Sequence, residues 1–382
     1  MNNKFMLVLF LAAALAAPSI AWADYYEIID LGLLPGLVAA DRSYGNAVNN
    51  GGEVAGHCQV SSGSMYPPYY ASLYSGGSMS TLGGELSGYP VHKAWGINDG
   101  GQVVGETSVQ VYSPSSTLAF ISSGGTMTSL GTLGAGTKSY AYAINNSGQV
   151  VGSSTTDGSS NTRAFIWDGT NGMQSLGVLD GGNSSIARGI NSLGQVVGES
   201  TISDKSTPIH AFLWDGTNGM VSLGTLGNDD SRSWARSIND AGQVVGYSDT
   251  SGTGATRAFL WTADNGMESL GVLGSGDNSY AKDINNNGWV VGYSNTSGAS
   301  TSHAFVWDSA NGIRDLNDLI DPALGWTLTH ADSISDTGYI TGYGTIGGQT
   351  RAFLLSIPEP STFALLACGL AALLAYAWRR RK

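Results

Sequence analysis

The sequence predicts an all-β fold: a seven-bladed β-propeller of four-stranded antiparallel blades, closed by pairing of the N- and C-terminal strands. Three observations predict it. First, a pattern recurs seven times, as Val48–Gly56, Ile97–Gly105, Ile144–Gly152, Ile190–Gly198, Ile238–Gly246, Ile284–Gly292 and Ile334–Gly342. Its Asn position falls at Asn49, Asn98, Asn145, Asn191, Asn239, Asn285 and Ser335, in steps of 49, 47, 46, 48, 46 and 50 residues. A period near fifty without helical patterning belongs to arrays of β units. Second, each period holds four short strand-like segments, the number in a propeller blade. Third, the repeat is out of phase at its ends. Tyr26–Gly32 reads as an outer strand lacking its partner, and Arg351–Leu355 as a third strand lacking its own. Pairing them completes the seventh blade and closes the ring. An open solenoid would gain nothing from that offset and would need atypical capping units. A solenoid or a pair of sandwiches are the competing architectures.

The elements follow from local chemistry. Ile144 ends one strand, Asn145, Asn146 and Ser147 form a turn, Gly148 takes positive φ, and Val150 and Val151 open the next strand. A second hairpin, Ala164–Gly177, returns as Ala211–Gly224, Ala258–Gly271 and, more loosely, Ala304–Asn317. Phe165, Phe212, Phe259 and Phe305 stand two residues before Trp167, Trp214, Trp261 and Trp307, hence on one strand face. These aromatics suit either a sugar platform or blade-to-blade packing, and their strict repetition favours packing. Three residues before each Ile (or Val48) stands a small residue: Gly45, Ala94, Ala141, Ala187, Ala235, Ala281 and Ala331. Crowding against a neighbouring strand explains that size limit.

Both termini read as targeting segments. Residues 1–23 form a secretory signal peptide: Lys4, an apolar run from Met6 to Ala17, and the cleavage site Ala21-Trp22-Ala23. At the other end Pro358-Glu359-Pro360 precedes an apolar transmembrane helix, 363–378, and the membrane-stop cations Arg379, Arg380, Arg381 and Lys382. This tail, 358–382, resembles the PEP-CTERM sorting signal of Gram-negative bacteria that make exopolysaccharide. The repeats of the body, 24–357, resemble the HAF family of extracellular repeats, through His210-Ala211-Phe212 and His303-Ala304-Phe305. The resemblances imply export, recognition by an exosortase-type membrane protease, transient anchoring through the C-terminal helix, and a cell-surface or extracellular destination. They imply no particular biochemical activity.

Charge narrows the partners. Without Lys4, the four tail cations and Glu359, the body keeps 12 Lys and Arg against 28 acids, a net charge near −16. That excludes a nucleic-acid footprint, which needs clustered positive charge. Cys368 lies in the tail, so Cys58 is alone in the body and reads as a buried apolar residue, with a reactive thiol as the lesser reading.

Antiparallel alternation sends the Asn turns to one face and the longer, variable connections to the other. Recognition tends to sit on variable loops carried by a rigid frame. On that second face Arg163, His210, Arg257, His303 and Arg351 share one repeat position. They are candidate ligand-binding residues for acidic exopolysaccharide, or else partners of nearby Asp side chains. Loops with Asp229, Asp230 and Asp277 offer weak Ca²⁺ ligands, and no other cofactor is implied. No hydrolase elbow, zinc helix or phosphate loop is present. Catalysis on a repeat frame needs a unit with unique polar residues, and the copies look alike. The sequence therefore points to a non-enzymatic surface or matrix module, with a secreted glycan hydrolase or lyase as the alternative and a purely structural protein as a third reading.

Overall fold

The computed structural model describes residues 25–36, 40–60, 68–82, 92–108, 116–157, 161–202, 209–228, 231–251, 254–297 and 301–356.

 The expected signal peptide, 1–23, the tail 358–382 with its expected helix 363–378, and Asp229 and Asp230 lie outside the described residues. Seven four-stranded antiparallel sheets make up the propeller unit, Glu27–Ile357. In the third blade the strands run, from the axis outwards, Ser139–Ile144, Val150–Thr155, Thr162–Asp168 and Gly172–Gly177. The other blades repeat this order.

Closure is as the offset predicts. Glu27–Asp30 is the outer strand of the last blade and pairs antiparallel with Gln349–Ser356, Ile28 opposite Leu355. Leu31 and Leu34 then pack with Val48, Val54, Cys58 and Met79 of the first blade and Ala352 and Leu354 of the last. Cys58 is fully buried in this seam, and burial pushes its thiol pKa up, which fits its apolar reading.

The core lies between blades. Phe120, Phe165, Phe212, Phe259, Phe305 and Phe353 are fully buried, while the repeated Trp side chains are half-buried beside them. Each buried Phe contributes about 2–3 kcal/mol of apolar transfer. Phe165 packs with Val104, Ala119, Leu130 and Leu133 of the preceding blade, with Trp167 at the margin, so the aromatics are blade-to-blade packing. The small residues obey the same crowding: a Cβ on Gly45 would lie 2.3 Å from Thr341 Oγ1.

The Asn turn does more than reverse the chain. Gly148 has φ 79°, and its N–H donates to Asn145 O at 3.0 Å, as the turn chemistry predicts. Asn145 Oδ1 accepts from the N–H groups of Ser147 and Gln149, at 3.1 and 3.0 Å. Its Nδ2 donates to Gln149 Oε1 at 2.8 Å and, across the blade boundary, to Asn191 O at 3.1 Å. The same stitch runs from Asn49 to Asn98, Asn98 to Asn145, Asn191 to Asn239, Asn239 to Asn285 and Asn285 to Ser335. Ser335 is too short to continue it. There Thr337 Oγ1 donates to Asn50 O at 3.0 Å and closes the circle.

Every inner strand carries a bulge at one place. In the third blade Ala141 pairs with Gly152 and Ala143 with Val151, so Tyr142 is the extra residue. A Cβ on Gly152 would sit 1.8 Å from Tyr140 O, which is why the Val-Val-Gly glycine recurs. A bulge re-aims the side chain it adds. The seven bulged residues are Asn46, Trp95, Tyr142, Arg188, Arg236, Lys282 and Asp332.

Candidate functional site: the mouth of the axial channel

All seven bulged residues line the channel, in a segment of about 240 Å³. A second segment is lined by the Asn turns. Val48, Ile97, Ile144, Ile190 and Ile334 line both segments and mark the waist between them. The bulged residues precede the waist in each inner strand, so their segment opens towards the variable loops. The copies differ most usefully at the bulge, where each blade but two carries a different residue type and the pair that agree are arginines.

Around this mouth aromatic contacts run through six blades. They pass from Trp234 to Tyr247, Tyr280, Tyr293, His330, Tyr343, Tyr44, His57, Trp95, Tyr142 and Tyr140, with ring centroids 4.1 to 6.5 Å apart. The fourth blade interrupts the series with charge. There Arg188 donates to Glu199 through Nε at 3.0 Å and Nη2 at 2.7 Å. Arg188 also lies 4.4 Å over Tyr142, and Arg236 lies 5.0 Å over Tyr247. Arg236 approaches Glu199 from the other side, at 3.7 Å, and Lys282 Nζ stands 3.4 Å from Asp332. Burial works against the charge of Arg188, but Glu199 outweighs it and raises the arginine pKa.

Burial sets the other protonation states. His57 is pushed down to about 3 by burial, with the Lys93 charge adding to the shift. Its Nδ1 stands 3.0 Å from Asn46 Nδ2 and accepts from it, as a neutral ring does. Burial raises the Glu106 carboxyl, against the pull of the Lys93 charge. Asp283, beneath the mouth, is also raised by burial although it accepts from Ser237, Ser333, and the N–H groups of Ile334 and Ile284.

A family model described as protein of unknown function (DUF3466) matches residues 135–226 and 224–347. The chain belongs to the DUF3466 family. The matched stretch of this DUF3466 chain contains Arg188, Glu199, Arg236, Lys282 and Asp332. A PEP-CTERM protein-sorting motif matches residues 356–382. That motif marks the protein for export and cell-surface or extracellular targeting, and it is a substrate signal for exosortase, a membrane protease. No curated protein matches the chain. Among solved structures, a gluconolactonase from Xanthomonas campestris is 10% identical, with a TM-score of 0.39, covering 89% of this chain and 93% of that one. Acylaminoacyl peptidase from Pyrococcus horikoshii is 13% identical, with a TM-score of 0.45, covering 81% of this chain and 50% of that one. A Trypanosoma rangeli sialidase is 10% identical, with a TM-score of 0.39, covering 84% and 54%. The chain thus spans about half of the peptidase and sialidase chains.

The predicted cation ring of this DUF3466 chain lies on the third strands, away from the channel lining. Each member has its own local partner. Arg163 donates to Asn183 O, Arg257 to Asp277 O and Arg351 to Gln349 Oε1. His210 Nδ1 is 3.0 Å from Ser222 Oγ, and His303 pairs with Asp315 at 2.5 Å. Among the described residues no cluster of three or more His, Cys, Asp or Glu could hold a metal ion, and no helix is long and apolar enough to cross a membrane. Sequence reasoning missed the channel residues because it aligned the copies for what they share. The signal was the residue directly after the small residue, where the copies read Asn46, Trp95, Tyr142, Arg188, Arg236, Lys282 and Asp332.

Proposed function

We propose that this exported protein is a non-catalytic binding module whose channel mouth holds a saccharide chain of surface exopolysaccharide. One observation carries the reading: the aromatic series around the mouth, broken only by the charged fourth blade. Aromatic faces with a few convergent polar groups suit pyranose rings, which present C–H faces and hydroxyl edges. Glu199 is held by two arginines and Asp332 by a lysine, an arrangement for holding rather than for moving protons. Delivery in this reading uses the signal peptide 1–23 and transient anchoring by 363–378 before exosortase cleavage, in keeping with the HAF-like character of the repeats.

A second reading, a glycan hydrolase or lyase, is favoured by Glu106 alone, because a carboxyl raised by burial suits a general acid. One experiment separates the two. The full chain, in mild detergent, is titrated with a panel of soluble polysaccharides, and the same mixtures are sized after long incubation. Binding with unchanged chain length, weakened at least tenfold by joint Trp95→Ala and Tyr142→Ala replacement, supports the module. Shortened chains, with loss of that shortening in Glu106→Gln, would replace it by the enzyme. No binding and no shortening would sink both.

A further inference from the structure

We infer that the charged side of the channel mouth is a subsite for a sugar carboxylate, so that the saccharide it takes contains uronic acid. The inference rests on the saccharide-binding reading and narrows it. Three neighbouring blades, the fourth to the sixth, carry cations at the bulge: Arg188, Arg236 and Lys282. All three line the same channel segment. Two carboxylates answer them. Glu199 lies between the arginines, at 2.7 Å from Arg188 and 3.7 Å from Arg236, and Asp332 lies 3.4 Å from Lys282. At the bulge itself three cations thus face two carboxylates, one positive charge in excess, while Asp283, lower in the same segment, spends its oxygens on Ser237, Ser333 and the N–H groups of Ile334 and Ile284, in a body whose net charge is near −16.

That single excess matches one carboxylate better than a polyphosphate or a run of sulfates. An arginine carries five N–H donors in a planar fork, more than Glu199 consumes here, and a fork suits the two oxygens of a carboxylate. The cations stand beside aromatic faces, Arg188 over Tyr142 among them. A pyranose seated at the mouth beside these pairs would present a C5 carboxylate to the guanidinium groups. The mouth is half-buried, so the attraction acts at short range and salt weakens it only in part.

The test uses the full chain in mild detergent and two forms of one probe, oligogalacturonate as free acid and as full methyl ester. The ester keeps the sugar ring and removes the charge. The free acid is expected to bind at least tenfold tighter at low salt, with part of that preference kept at moderate salt. Joint Arg236→Gln and Lys282→Gln replacement leaves the Arg188–Glu199 pair intact. It should remove the preference without lowering the melting temperature, and joint Arg236→Lys and Lys282→Arg replacement should retain it. Equal binding of acid and ester, or an unchanged preference in the Gln variant, overturns the carboxylate subsite and leaves the saccharide reading standing. If neither form binds and the polysaccharide panel also fails, both fall together.

Discussion

The two ends of the channel are built from the same seven inner strands and obey opposite rules. At the Asn-turn end the repeat is nearly invariant: six asparagines each make the same bond to the next blade, at 3.0 to 3.2 Å. At the other end the bulge presents Asn46, Trp95, Tyr142, Arg188, Arg236, Lys282 and Asp332, with one type used twice. Both ends lie on the axis, so position alone does not explain the difference. Hydrogen-bond accounting does. The Asn side chain spends its oxygen on its own turn and its amide on Gln149 and the neighbouring blade, so no other residue type can replace it without loss. The bulged side chain leaves the sheet ladder, and its partners differ from blade to blade: Asn46 donates to Ala94 O of the next blade, while Arg188 and Lys282 hold carboxylates, so no single residue type is required there.

The comparison can be broken from the side of the Asn turns first. Asn145→Ala strands the N–H groups of Ser147 and Gln149 and takes from the Asn191 carbonyl one of its two donors, and should cost on the order of 2–4 kcal/mol. Denaturant unfolding of the full chain would measure it. A change below 0.5 kcal/mol, taken as roughly the scale of an ordinary surface substitution, would mean the stitch is decoration.

His57 tests whether the variable mouth is also free of stability constraints. Its folded pKa, near 3, lies below the unfolded value of 6.5. Below the unfolded value the unfolded chain binds a proton that the folded chain refuses, so stability is lost as pH falls from about 6.5 towards 3 and is complete above 6.5. At pH 4.5 the loss should be on the order of 2–3 kcal/mol. His57→Gln, which keeps an acceptor for Asn46, should flatten that part of the stability–pH curve. An equal acid slope in parent and variant would remove His57 as its source.

A smaller effect is expected at the turn glycine. Gly148 sits at φ 79°, and an added Cβ would meet only Gln102 Oε1, at an ordinary contact distance of 3.6 Å, so Gly148→Val should cost about 1–2 kcal/mol, chiefly through backbone strain. Gly148→Asn should be milder, because Asn tolerates that region. Equal melting shifts for the two would show that the turn can change type.

The smallest effect sharpens the contrast. Lys282→Gln at the mouth removes an ion pair with a one-third exposed lysine, and stability should change by no more than about 0.5 kcal/mol. A loss as large as that of Asn145→Ala would make the mouth part of the frame, and the division between the two ends would fail.

What the sequence determined by itself was the frame. Period, turn glycines, small residues and paired apolar strands act locally or between adjacent repeats, so spacing and residue type suffice to read them. The offset of Tyr26–Gly32 against Arg351–Leu355 even disclosed the closure, because an unpaired strand at each end leaves one consistent ring. The placement of the candidate binding groups was decided only by the tertiary structure. Arg163, His210, Arg257, His303 and Arg351 share a repeat position, but a position on the third strand lies away from the axis, and each member meets a separate local partner. Trp95, Tyr142, Arg188, Arg236 and Lys282 share one too, and theirs falls on a bulge in the innermost strand. Seven strands around an axis bring such residues to one mouth although they stand nearly fifty residues apart in the chain. The bulge depends on a backbone register that alternation cannot encode, since one extra residue reverses which face a side chain takes.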